Sequence, residues 1–255
     1  MKDIFVDLDS FKLPVETQVK VRDILIDMPI KYKCEAINNV FTISLKEAKK
    51  IIHCDKLKPI QIFPNRGLLC ITILNFYWSP VGKFTELTFS IIAGYNAMFN
   101  FPLISIPINV LFRKFGFFPF SVAQSTEIAI EHGNIITGYP HYTKLTTVEF
   151  SRNEDIISME AFTDQEMILQ MQIKKSNTEK IHHDVHTTYS LKNNSVSKIK
   201  LETYGIKSNA TMCNIKLGNQ ELSNLLRKLR ISDKTIFTSY YRDSLKIIHS
   251  PIPLG

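Results

Sequence analysis

Between residues 125 and 204, turn-forming residues cut the chain into short β-branched and aromatic runs. That spacing constrains the fold more than any other feature. Strands are expected over 125–130, 135–137, 145–150, 156–162, 166–173, 185–191 and 198–204. Met167 to Ile173 alternates apolar and polar residues, the period of a strand with one buried face. Many strands at short spacing predict a sheet that curls or closes, because closure removes exposed edges.

The flanking segments fit the same picture. Residues 1–35 carry no clear pattern, and 40–44 reads as a strand. Residues 45–52 read as a short helix with Leu45, Ala48, Ile51 and Ile52 on one side. A short strand is expected at 60–63. The long apolar run 68–78 reads as a buried strand. Pro80 and Gly82 make a turn, and 86–94 returns as the partner strand. Residues 220–229 form a helix with Leu222, Leu225, Leu226 and Leu229 on one face. No linker interrupts the chain, so residues 1–255 are read as one α+β domain, mainly antiparallel β.

Apolar residues make up 44% of the chain and charged residues 22%, enough to bury a sizeable core. The net charge of +7 is read as a solvated lysine-rich face. No helix-turn-helix, zinc-finger or RNP pattern accompanies it, so no nucleic-acid partner is expected. Cysteines at 34, 54, 70 and 213 lack Cys-x-x-Cys spacing and read as small apolar residues in a reduced compartment. The acidic start MKDIFVDLDSF has no continuous apolar stretch, which predicts a cytoplasmic protein. Phosphate-loop, dinucleotide, nucleophile-elbow and zinc-protease motifs are absent, so no cofactor or metal is expected. His182, Asp184 and His186 would share one strand face at a spacing compatible with a metal. They follow the polar run 174–180 and are read as an exposed strand end.

Residues 98–120 hold seven of the seventeen phenylalanines, with Pro102, Pro107 and Pro119. Fifteen residues from Met98 to Phe112 fall short of the roughly 20 needed to span a bilayer. Core or oligomer interface is the default reading, and the wall of an apolar pocket is the second. Contact with a membrane surface, beside Arg113 and Lys114, is the weakest of the three. Phe99, Phe101, Phe112, Phe117 and Phe118 are the candidate ligand-contacting rings.

Two motifs carry the chemistry. The first is Ser79-Pro80-Val81-Gly82-Lys83-Phe84-Thr85-Glu86. The second is Gly133-Asn134-Ile135-Ile136-Thr137-Gly138-Tyr139-Pro140-His141-Tyr142. The pair resembles the acetoacetate decarboxylase-like family, in which a glycine turn leads to an inward glutamate and a Gly-Phe/Tyr-Pro turn leads to two lysines. The resemblance runs from about residue 35 to the C-terminus. It implies a cone-like β-barrel with a few helices around a ligand cavity, often in a homo-oligomer. It also implies a Schiff-base lysine, activated by its lysine neighbour, after the proline.

In this chain Glu86 matches the glutamate, but His141 and Tyr142 stand at the lysine positions. The family's carboxylate-binding arginine would fall near Asn38, and a second cavity glutamate near Ile71 or Thr72. The expected function is therefore binding of an apolar keto-type small molecule in the barrel, with any transformation proceeding without a Schiff base. If the chain is an enzyme, it is a lyase with Glu86 and His141 as acid/base groups, Tyr142 as a phenolic donor and Tyr139 as a ligand contact. Two alternatives remain: a non-catalytic lipid or small-molecule carrier, and a decarboxylase-type lyase using Lys144.

Overall fold

The computed structural model describes residues 13–97, 115–192 and 194–255. A hairpin, β1 (Thr17–Val21) and β2 (Ile24–Met28), precedes the long strand β3 (Ile30–Ser44). Helix α1 (Leu45–Ile51), short strands β4 (Leu57–Pro59) and β5 (Gln61–Phe63), and long strands β6 (Arg66–Trp78) and β7 (Phe84–Tyr95) follow. Next come β8 (Phe115–Gln124), α2 (Glu127–Ile136), β9 (Thr147–Arg152), β10 (Ile156–Thr163), β11 (Glu166–Lys192) and β12 (Ser195–Leu217). The chain finishes with α3 (Glu221–Lys228), β13 (Thr235–Ile248) and β14 (Ile252–Leu254). Among the described residues no helix is long and apolar enough to cross a membrane.

Seven strands close a barrel. The hydrogen-bonded order is β12, β13, β3, β6, β7, β8, β11 and back to β12. Every contact in that ring is antiparallel except the one between β8 and β11, which is parallel and registers Phe117 on Thr188. Gly116 lets the two backbones meet at this seam. A Cβ there would lie 2.7 Å from both the Thr187 carbonyl oxygen and Tyr189 Cε2.

The core lies mainly outside the barrel. Ile37, Ile71, Ile73, Leu87, Phe89 and Ile91 point outward, and all are buried. They pack in one cluster with Val148, Ile157, Met159, Ala161, Leu169 and Met171 of β9, β10 and the first part of β11. Fully burying one such side chain stabilises the fold by roughly 1.5–3 kcal/mol. This second layer explains why β6 and β7 read as continuous apolar runs: both faces are covered. The alternate residues point inward and are small: Cys70, Thr72, Thr88 and Ser90. Small inward side chains leave the barrel hollow.

Several sequence expectations are met. Helices form over Leu45–Ile51 and Glu221–Lys228, and β6 and β7 make the expected hairpin. Others are corrected. The strands expected at 125–130 and 135–137 are one helix, α2. Thr126 caps it, its hydroxyl oxygen accepting from the Ala129 amide at 3.3 Å. Ala129, His132, Gly133 and Ile136 bury one helical face. The strands expected at 166–173 and 185–191 are the two ends of β11. The polar run between them is a register-shifted corner at Lys175 to Glu179, which carries the strand from the outer layer into the barrel wall.

Candidate functional site

The barrel encloses a cavity of about 320 Å³. Period-two alternation places each strand's inward residues on its wall. Strand β3 gives Cys34, Ala36, Asn38 and Val40, and β7 gives Glu86, Thr88, Ser90 and Ile92. Strand β8 contributes Phe115, Phe117 and Pro119. Tyr139 enters from the turn after α2, its hydroxyl bonded to Thr188 Oγ1.

Glu86 faces this space. Its two carboxylate oxygens accept from Thr88 Oγ1 and Gln124 Nε2, each at 2.8 Å. Its charge pushes the Tyr139 hydroxyl further from ionisation, adding to the larger effect of burial.

No hydrogen bond joins Glu86 to His141, the pair expected from the sequence, although the Glu86 charge acts on the His141 ring. The Val122 amide donates to the Pro140 carbonyl at 3.0 Å, and the Tyr142 amide donates to the Val122 carbonyl at 2.7 Å. That bridge holds the turn against β8 and lays the His141 ring on α2 rather than in the cavity. A Cβ at Gly133 would lie 2.3 Å from His141 Cε1. Both ring nitrogens of His141 are buried, and the Gly133 backbone lies against the ring and favours its protonated form. Burial lowers the imidazole pKa, and the nearby Glu86 charge opposes that shift. His141 and Tyr142 line a separate cleft against Glu221, Leu222 and Lys228 of the α3 region.

Lys144 also lies away from the cavity. It is exposed and paired with Asp164 at 2.9 Å, and that carboxylate holds its pKa above the usual value. A protonated surface amine is no nucleophile for a ketone. Of the candidate rings, Phe117 lines the cavity, while Phe118 points outward into the core because successive strand residues alternate sides. Phe99, Phe101 and Phe112 lie outside the described residues.

The wall formed by β11, β12 and β13 was not foreseen as functional. Asp184 and His186 face the cavity rather than forming an exposed strand end. Among the described residues no group of three His, Cys, Asp or Glu side chains is placed to hold a metal ion. Asp184 instead accepts from Lys207 Nζ at 2.6 Å and from the Tyr241 hydroxyl. Lys246 enters from β13, with its ammonium 5.8 Å from the Phe76 ring centre. Burial lowers the His186 pKa most; Asp184 opposes the shift, and Lys207 and Lys246 add to it.

No protein-family profile matches the sequence, and no curated protein matches it. Solved structures do match in fold. The acetoacetate decarboxylase of Legionella pneumophila is 12% identical, with a TM-score of 0.62 over 97% of this chain and 94% of its own. An acetoacetate decarboxylase-like enzyme from Sphingomonas wittichii is 11% identical, with a TM-score of 0.55 over 88% and 93%. The enduracididine biosynthesis enzyme MppR, solved with pyruvate, is 8% identical, with a TM-score of 0.59 over 89% and 90%. The chain thus has the acetoacetate decarboxylase-like fold.

Proposed function

We propose that this chain binds an apolar keto-type small molecule inside the barrel, and that any transformation there proceeds without a Schiff base at the turn after Pro140. One observation carries this reading. The small inward residues of β3, β6 and β7 leave a cavity of about 320 Å³. His141, at the position where the resemblance puts the imine lysine, has its ring outside that cavity against Gly133. The likeness of fold to decarboxylases and to an enzyme that holds pyruvate supports a carbonyl compound as the class of ligand.

If catalysis occurs, Glu86 is its acid/base group, because it alone of the expected catalytic residues faces the cavity. The carrier reading has its own support: both Glu86 oxygens already accept protein hydrogen bonds. Two titrations test the proposal. Calorimetry with 2-octanone should show saturable binding of one molecule per chain. Acetoacetate followed by borohydride should leave the intact mass unchanged. Absence of saturable binding, or a stoichiometric adduct on any lysine, contradicts the proposal.

A further inference from the structure

Charge in the cavity is unevenly matched. Lys207 has a counter-ion, Asp184, at 2.6 Å. The other cavity carboxylate, Glu86, receives Thr88 and Gln124. Lys246 has no carboxylate within ion-pairing distance among the described residues, and its ammonium lies over the face of Phe76. It is only part-exposed, on β13 opposite Thr203 of β12. A cation drawn partly out of water without a counter-charge raises the free energy of the empty site. Asp184 of β11 pairs with Thr203 of β12, which pairs with Lys246 of β13, and Lys207 reaches that same Asp184, so both lysines belong to one stretch of wall. Beside that stretch lie the edge-on rings of His186 and Phe117, 5.7 Å apart, and then Phe115, Pro119 and Ile92.

The geometry points to an amphipathic monocarboxylate as the ligand, with its acidic head on Lys246 beside Lys207 and its apolar tail along Ile92, Phe115, Phe117 and Pro119. One negative charge is specified because Asp184 is taken by Lys207 and Glu86 by Thr88 and Gln124, which leaves Lys246 as the cavity ammonium without a carboxylate among the described residues. The inference rests on the barrel being the ligand site, as proposed above. It differs from the simpler apolar reading in assigning the ligand an anionic end. It also gives β12 and β13 a recognition role that the Asn38 position does not supply.

The test compares three eight-carbon probes, octanoate, octanol and octylamine, by calorimetry on the full chain at pH 7. A charge-assisted hydrogen bond is worth about 1.5–3 kcal/mol, so octanoate should bind about ten- to a hundredfold more tightly than octanol. Octylamine should bind most weakly. Lys246→Met should remove the preference for octanoate over octanol, and Lys246→Arg should restore it. Circular dichroism and a thermal melt report separately that the Lys246→Met variant is folded. Equal binding of octanoate and octanol by the unaltered chain overturns the inference and leaves the barrel site standing. A preference that survives Lys246→Met overturns it as well. If none of the three probes binds, the barrel site itself fails.

Discussion

At Gly133 the absence of a Cβ lets the His141 ring lie directly on α2. Alanine would favour the helix by about 1 kcal/mol. Its methyl would meet His141 Cε1 at 2.3 Å, and overpacking of that kind costs about 1–3 kcal/mol. The clash should win. Gly133→Ala should lose about 1–2 kcal/mol in denaturant unfolding, and the Gly133→Ala/His141→Ala double variant should recover most of that loss. Additive losses would mean that the ring does not lie on the helix.

His132, one residue earlier, makes a pH prediction. Burial foremost, then the positive charge of His141, lowers its pKa to about 4. The unfolded chain takes up that proton near pH 6.5, and the folded chain does so only near 4. Stability is therefore full above about pH 6.5 and falls as the pH drops towards 4, by an amount on the order of 3 kcal/mol for this group. His141 and His186 shift in the same direction. Thermal melts should show that loss, and His132→Asn should reduce it. An unchanged profile in the variant would assign the acid sensitivity elsewhere.

At the scale of elements, the parallel seam between β8 and β11 is where the barrel closes, and Gly116 sets its spacing. One of the two nearest neighbours of an added Cβ is backbone, the Thr187 carbonyl, which cannot swing aside. Gly116→Val should destabilise the fold by more than about 2 kcal/mol and weaken ligand binding by parting the wall at Phe117. Unchanged stability and binding would show that the seam is not tightly held.

The elements legible in the sequence were those with strong periodicity or strong turns. Leu222, Leu225, Leu226 and Leu229 announced α3, and Pro80 with Gly82 announced the β6–β7 hairpin. Helix α2 was misread because Ile128, Ile130, Ile135 and Ile136 favour strands. The Thr126 cap and burial of one face overrode that preference. Strand β11 was split in two because residues 174–180 are polar. That composition reads as a loop, but here it forms a bent strand whose pairing resumes after a bulge.

At the scale of the whole molecule, the sequence carries a readable trace of the hollow barrel. In Leu69-Cys70-Ile71-Thr72-Ile73 and Leu87-Thr88-Phe89-Ser90-Ile91, large apolar residues alternate with small ones. The large set forms the outer core and the small set lines the cavity. Glu86 and Tyr139 were found because they lie in motifs. Lys207 and Lys246 were not, because a lysine alternating with apolar residues looks the same whether its face meets solvent or a closed barrel. Only the pairing of β11 with β12 and of β12 with β13 determines which side is inside.

The central claim is that ligands bind inside this barrel rather than in the cleft beside α3. Amide chemical-shift mapping of the labelled protein titrated with 2-octanone tests it most directly. The account predicts saturable shifts that converge on Asn38, Thr72, Thr88, Thr188 and Ser239, which belong to five different strands and face one cavity. Shifts confined to His141, Tyr142 and residues 221–228, or no saturable shifts at all, would contradict it.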